Sequence, residues 1–384
     1  MHAELTNSTI SESTQKKASQ IIESCVHCGF CLATCPTYQI LGDELDSPRG
    51  RIYLIKSALE QNQFTQKSLS HMDRCLTCRS CETNCPSGVE YGQLLEIGRE
   101  IMESKRGKFQ TLYRYLVRKA LLTPIIFKPI GYFYRHSKIS SKPIKPETIQ
   151  SRVLLMGGCV QPSLAPNINH SIKNILAKLN IEVLESSQGQ CCGALDQHLA
   201  ASSEAMKKVK RNIDNWIAQL DSGVEAIISS ASGCGVMIKD YPKLFKSSDP
   251  YFKKALLVSS KTKDIAEFLS NKDLSGLHLS ELNITYHEPC TMQHGQQLGG
   301  LVESILSQFG YIKKPVKDSH ICCGSAGAYS IFETKISNQL RNNKIDNLNA
   351  SKPNMIVTSN IGCLMHLQKG SSIPVKHWVE LLDV

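Results

Sequence analysis

Cys25-Val-His-Cys-Gly-Phe-Cys-Leu-Ala-Thr-Cys-Pro36 and Cys75-Leu-Thr-Cys-Arg-Ser-Cys-Glu-Thr-Asn-Cys-Pro86 are two copies of one pattern, Cys-x2-Cys-x2-Cys-x3-Cys-Pro. Three thiolates two residues apart can wrap one corner of an iron–sulfur cubane. The fourth, beside a proline that turns the chain away, reaches across. All-cysteine zinc sites usually pair two short Cys-x2-4-Cys knuckles and have no use for four cysteines within eleven residues and a trailing proline. Around these runs lie 384 residues, more than one hydrophobic core usually supports, so two or three domains are expected. Apolar residues at 41% and charged residues at 20% exclude a wholly disordered, collagenous or integral membrane chain. The opening residues are polar and lack an apolar core, which argues against a secretory signal. The sixteen cysteines are therefore expected in a reducing compartment, as metal ligands and not disulfides.

The run is that of the bacterial two-cluster ferredoxins, in which the fourth cysteine of each run ligates the other cluster. It predicts one [4Fe–4S] cluster on Cys25, Cys28, Cys31 and Cys85, and a second on Cys75, Cys78, Cys81 and Cys35. Helical signals surround them. Ser47-Pro48 reads as an N-cap and first-turn proline, followed by Ile52, Ile55 and Leu59 on one face, and Leu94 to Leu121 reads as a second long helical stretch.

The other eight cysteines form an internal repeat. Cys159, Cys191, Cys192 and Cys234 recur as Cys290, Cys322, Cys323 and Cys363, with Cys-Cys-Gly at 191–193 and again at 322–324. Adjacent cysteines can both reach one metal group only where the backbone bends sharply, a freedom that Gly193 and Gly324 supply. The eight are candidate ligands of further clusters; buried structural cysteines are the bland alternative. Short β-rich runs at 153–156, 226–229, 284–286 and 355–358 precede helical periodicity, which predicts α/β units with cysteines at strand ends. His287, His294 and His320 stand near the second set, and Asp196 and His198 follow the first Cys-Cys-Gly. Lone histidines beside a site are more often structural.

The predicted fold class is thus multidomain, α+β and α/β. An α-helical two-cluster domain covers 15–100, a basic helix and linker 101–150, and two tandem α/β Cys-Cys-Gly repeat domains 151–272 and 273–384. Of the net charge of +10, the window 101–150 carries +9, from eleven Lys and Arg against Glu103 and Glu147. Leu112 to Leu122, Ile125 to Phe127 and Tyr132 to Tyr134 interleave these cations with apolar and aromatic side chains. That composition suits an interfacial helix, with a solvated face or an acidic partner as the alternatives. No stretch reaches 18 uninterrupted apolar residues, so no spanning helix is expected. No G-x-G-x-x-G after a strand, P-loop, H-E-x-x-H or G-x-S-x-G is found, so the chain has means to move electrons but no evident catalytic residues, flavin site or nucleic-acid role.

Two ferredoxin runs followed by two Cys-Cys-Gly domains resemble the iron–sulfur subunits of respiratory oxidoreductases, among them heterodisulfide reductase, anaerobic glycerol-3-phosphate dehydrogenase and, in particular, glycolate oxidase (glycolate dehydrogenase). The glycolate oxidase likeness rests on Cys25 to Tyr38, Gly42-Asp-Glu-Leu-Asp-Ser-Pro-Arg-Gly-Arg-Ile52, Gly158-Cys-Val-Gln-Pro-Ser163, Cys191 to Asp196, Ala231 to Cys234, Cys322 to Gly327 and His377 to Leu382. The resemblance implies an electron-transfer subunit: an FAD-containing partner oxidises glycolate to glyoxylate, and electrons pass through this chain to quinone or another acceptor. It also implies a place in the cytoplasm or on the cytoplasmic face of the inner membrane. Alternatives are service to another 2-hydroxy acid or to glycerol-3-phosphate, a heterodisulfide-reductase-like enzyme, and a zinc-stabilised interaction protein. One departure bears on them. Heterodisulfide reductase relatives carry a fifth thiolate in a Cys-x-x-Cys pair. Here the positions three residues either side of Cys234 are Ala231 and Met237, and those of Cys363 are Asn360 and His366.

Overall fold

The computed structural model describes residues 10–61, 64–137, 139, 142–186, 191–277 and 281–383. The first nine residues and Lys138 of the basic window lie outside them. The chain forms two compact units. One comprises Met1–Arg118, Leu195–Ser202 and His320–Lys344, and the other the remainder.

The first unit is helical, as expected. Helix α1 (Glu12–Glu23) starts where the Ser11 hydroxyl accepts from the Thr14 N–H. Helix α2 (Pro36–Leu41) starts directly at Cys35 and stops at Gly42, whose φ of 64° suits a residue without Cβ. Helix α3 (Pro48–Gln61) opens with the Ser47 hydroxyl accepting from the Gly50 N–H at 3.0 Å. Ile52, Ile55 and Leu59 are buried along it as the periodicity predicts, and α4 (Gln66–Asp73) contributes Leu69 and Met72 to the same core. After the one-turn α5 (Ser80–Thr83), α6 (Tyr91–Glu103) adds Leu94, Leu95 and Met102. α6 crosses α3 so closely that a Cβ on Gly98 would stand 2.6 Å from the Ile55 side chain.

The long helix expected from Leu94 to Leu121 is in fact two. A turn at 104–107 separates α6 from α7 (Lys108–Leu122). Its cause lies elsewhere in the unit: Arg106 is drawn into a fork on Asp73, at 2.7 and 2.9 Å, and also meets Glu103 at 2.8 Å. Gly107 then supplies a weak helix former at the break. Helix α8 (Pro124–Phe133) follows.

The second unit contains two four-stranded parallel sheets of one topology. β1 (Ser151–Leu155), β2 (Ile181–Glu185), β3 (Ala226–Ser229) and β4 (Thr262–Asp264) lie in the order β2-β1-β3-β4. β5 (Asn283–His287), β6 (Ile312–Lys313), β7 (Met355–Thr358) and β8 (Val375–His377) lie in the order β6-β5-β7-β8. The central strands β1 and β3, and β5 and β7, are the four runs read from sequence, because only strands buried on both faces carry a continuous apolar signal.

The repeat extends to the edge strands β4 and β8, where no cysteine marks it. Thr262-Lys-Asp-Ile-Ala-Glu-Phe-Leu269 matches Val375-Lys-His-Trp-Val-Glu-Leu-Leu382, and Asp264 and His377 each cap a helical turn in a box closed by Glu267 or Glu380. The two caps are fully buried but of opposite chemistry. The Asp264 carboxylate accepts from the Gln296 amide at 3.3 Å, and His377 Nε2 lies 3.0 Å from the Ser230 carbonyl. Burial pushes the Asp264 carboxyl from 3.8 up to about 6 against the Ala266 and Gln296 donors. Burial also depresses the His377 imidazole from 6.5 to about 4, against the carbonyls of Ser230 and Ser359.

Their linkages oppose. A raised Asp pKa means that stability falls as pH rises between about 4 and 6, whereas a depressed His pKa means that stability rises between about 4 and 6.5, on the order of 3 kcal/mol each. Asp264→Asn should therefore stabilise the protein at neutral pH and uncover the histidine. In urea unfolding followed by tryptophan fluorescence, the variant's stability should fall more steeply than the parent's from pH 6.5 to 5. Parallel curves would contradict the opposed linkages.

Candidate metal centres

The ferredoxin runs build two adjoining concavities in the first unit. The first is lined by Cys25, Cys28, Cys31, Cys81 and Cys85. The second is lined by Cys35, Cys75, Cys78 and Cys81, so that Cys81 belongs to the wall they share. Local geometry repeats with an offset of 50 residues. His27 and Thr77 have φ of 56° and 54°, and Gly29 and Arg79 have 87° and 59°. These left-handed residues alternate with the cysteines and turn three of them onto one concavity, at a cost that is highest for the β-branched Thr77. Cys28 is exposed, with Val26 and Phe30 standing out into solvent beside it. Cys35, Cys75 and Cys81 are buried.

Burial pushes the Cys31 thiol up to about 11 and Cys81 well above its usual range. Such thiols ionise only when a cation joins them, so the eight soft donors fit a thiolate-bound metal group.

The wall of the second concavity holds residues that cysteine spacing does not reveal. Arg51 is buried, and its Nε donates to the His71 carbonyl at 2.7 Å. Nη1 and Nη2 both donate to the Thr37 hydroxyl at 3.2 Å, and Nη2 to Asp46 Oδ1 at 3.2 Å. The Thr37 hydroxyl lies 3.3 Å from Cys35 Sγ, and the buried Tyr91 hydroxyl donates to Cys75 Sγ at 3.6 Å. Burial works against the Arg51 charge, but Cys75, Tyr91, Cys35 and Asp46 outweigh it and hold its pKa up. Arg99, also buried, clamps the same loop through the carbonyls of Met72 and Cys75 at 3.1 and 2.8 Å and the Thr77 hydroxyl at 3.0 Å. The one sequence signal was Gly42 to Ile52, a stretch specific without carrying a cysteine. Its Gly50 packs so tightly that a Cβ would stand 2.0 Å from the Glu44 carbonyl oxygen.

In the second unit the first Cys-Cys-Gly set converges. Cys159 hydrogen-bonds Cys191 and Cys192 hydrogen-bonds Cys234, and these thiol partners, with burial, push Cys159 and Cys192 well above the ordinary range. Gly193, at φ 89°, makes the expected bend. The Asn212 amide donates to the Cys191 carbonyl and the Tyr241 hydroxyl to the Cys192 carbonyl, both at 2.9 Å, which fixes the pair.

In the second repeat, His287 ends β5 where Met156 follows β1, and it brings a ring nitrogen within 4.8 Å of Cys363 Sγ. Cys290 begins the short turn Thr291–Gly295. In the first unit, Cys322 and Cys323 are buried, and Gly324, at φ 87°, bends as Gly193 does; a Cβ there would stand 2.6 Å from the Ser337 carbonyl oxygen. His294 is buried and His320 half-buried. Asp196 and His198 serve packing: Asp196 meets Arg118 at 2.9 Å and His198 Nδ1 meets Glu96 at 2.7 Å.

Comparison with known proteins finds both kinds of cysteine motif. A family described as "4Fe-4S dicluster domain" matches residues 21–89, and one described as "Cysteine-rich domain" matches 153–239 and 284–368. The chain is 42% identical, over its whole length and 98% of the relative, to the glycolate oxidase iron-sulfur subunit of Escherichia coli (strain K12). It is 28% identical to the probable glycolate oxidase iron-sulfur subunit of Bacillus subtilis (strain 168), over 90% of this chain and 88% of that protein. Identity to lactate utilization protein A of Bacillus licheniformis is 25%, over 60% of this chain and 99% of that protein.

Proposed function

The chain belongs to the family of glycolate oxidase iron–sulfur subunits, and from that premise we propose that it carries electrons from a flavin-bearing partner subunit to an acceptor such as quinone. The partner would oxidise glycolate to glyoxylate, releasing two electrons and two protons. The chain holds two [4Fe–4S] clusters, which when bound accept and return one electron at a time. The observation that carries the reading is the distribution of the eight ferredoxin cysteines over two adjoining cavities, with Cys81 alone among them lining both. It supports the crossed ligand sets Cys25, Cys28, Cys31, Cys85 and Cys35, Cys75, Cys78, Cys81. The protein's own residues then do three things. They supply thiolates, they hold the sulfurs in left-handed loops, and they leave one edge, at Cys28, open to a partner while burying the other. Cys159, Cys191, Cys192 and Cys234, and in the second repeat Cys290, Cys322, Cys323 and Cys363, are the proposed ligands of further metal groups.

Cys28→Ser and Cys78→Ser should each remove about half of the ferredoxin-domain iron and one set of paramagnetic resonances, with loss of stability because metal binding is coupled to folding. Unchanged iron in both would refute the ligand sets. Purified alone, the chain should bleach with dithionite but leave glycolate untouched. Coexpressed with the flavin subunit, it should restore glycolate-dependent quinone reduction, which the two cysteine variants should abolish. Restoration by D-lactate and not glycolate would move the substrate to another 2-hydroxy acid.

Attachment to a lipid surface is part of this reading. No helix among the described residues is long and apolar enough to cross a membrane. The cations of α7 do not form the free patch that composition suggested. Arg114 pairs with Asp73 at 3.2 Å and lies over the Phe332 ring, and Arg118 pairs with Asp196. Exposed apolar side chains lie on both helices: Phe109, Leu112 and Leu116 on α7, and on α8 Ile125 and Phe133, 85% and 86% exposed, with Lys128 beside them in sequence. That arrangement supports an interfacial helix anchored by apolar burial, with few cations assisting. Ile125→Ser with Phe133→Ser should abolish sedimentation with anionic vesicles at unchanged iron content. Full sedimentation would point to a protein partner on this face.

A further inference from the structure

We propose that Arg51 and Tyr91 set the direction of electron transfer inside the first unit, by holding the centre at Cys35, Cys75, Cys78 and Cys81 at a higher reduction potential than its neighbour. The proposal rests on the crossed ligand sets above. A reduced cluster carries one more negative charge than an oxidised one, so a buried cation or a hydrogen bond to a ligand sulfur favours the reduced form. Both devices line the second cavity; Tyr91 also borders the first, but its hydroxyl is directed at a sulfur of the second set. The Tyr91 hydroxyl donates to Cys75 Sγ, and the Arg51 guanidinium forms part of the wall. The guanidinium is locked by His71, Thr37 and Asp46.

The carboxylate of Asp46 does not cancel this charge, because it is shared. Arg74 takes its other oxygen at 2.9 Å, which leaves the Arg51–Asp46–Arg74 group net positive. The first cavity has no buried cation of this kind among its lining residues. Its cation, Arg49, is partly exposed and already paired with Glu44 at 2.7 Å, so its field is neutralised and screened by solvent. One set therefore has an exposed ligand, Cys28, and no net buried charge, and the other has three buried ligands and an excess cation. Electrons entering beside Cys28 would collect at the inner centre.

The test is a redox titration followed by electron paramagnetic resonance on the full chain with its clusters. The inner signal is identified as the one that survives in Cys28→Ser. Arg51→Gln should lower the ratio of reduced to oxidised inner centre about tenfold at the parent's midpoint, a shift of about 59 mV for one electron. Tyr91→Phe, which removes only the hydroxyl, should shift it the same way by a smaller factor, and Arg51→Lys should restore most of the Arg51→Gln loss. The outer signal should stay in place in all three.

An unmoved inner midpoint in Tyr91→Phe and Arg51→Gln, or equal movement of both signals, would overturn the proposal. If Arg51→Gln fails to hold iron, the Tyr91→Phe midpoint decides alone, and an unmoved one overturns it. Failure of the ligand sets would be seen separately, as unchanged iron in the cysteine variants.

Discussion

The arrangement of the first unit depends on a single buried carboxylate. Asp46 accepts from Arg51 and Arg74 and lies 3.1 Å from His71 Nδ1, while its backbone carbonyl accepts from the Thr37 hydroxyl at 2.9 Å. These bonds tie together the segment after Cys35, the entry to α3, and the end of α4 that leads into Cys75. Buried charges are tolerated only when fully partnered, and removing one member of such a group typically costs about 3–5 kcal/mol. The same network that holds the two cysteine runs in register therefore also fixes the charge beside one of them. Structural support and electrostatic asymmetry come from one set of side chains.

Repetition with divergence recurs on two scales. In the first unit the two cysteine loops share their left-handed positions, yet Gly29 is answered by Arg79 and His27 by Thr77. In the second unit the two sheets share strand order and capping boxes, yet Asp264 is answered by His377, and Met156 beside the first cysteine by His287. In each case the backbone solution is kept and the side chain that sets local charge is changed. Two sites of one geometry can thus differ in proton affinity or reduction potential, which a relay of centres needs if electrons are to move one way.

The basic segment illustrates how pairing alters a composition argument. Counted along the chain, 101–150 is a strong positive patch. In the fold, Arg106, Arg114 and Arg118 are consumed by Asp73 and Asp196, acids from other segments of the same unit, with Glu103 of the window itself also meeting Arg106. What stays on the surface of α8 is apolar and aromatic. A lysine on a flexible stem with a few neighbouring rings is a different recognition surface from a row of free guanidinium groups, and its salt dependence would be correspondingly weak.

Cysteine spacing was enough to expose the metal chemistry, the two-cluster unit and the tandem α/β repeat, because ligation and turn geometry are local. Three sulfurs on one loop, or two adjacent sulfurs before a glycine, have their geometry written within a dozen residues. The central strands were legible for a similar reason, since burial on both faces leaves an unbroken apolar run. The edge strands, the break between α6 and α7, and the surroundings of the inner cavity were not. Their causes are side chains far apart in sequence: Arg106 turns toward Asp73, and Arg51 meets Thr37, Asp46 and His71 only once α2, α3 and α4 have packed. Sequence alone determined the cysteine pattern and the cluster chemistry it marks. Which of the two ferredoxin centres sits beside a buried cation was decided by tertiary packing, because a charge acts through space on whatever the fold brings near it and is dehydrated only where the fold buries it.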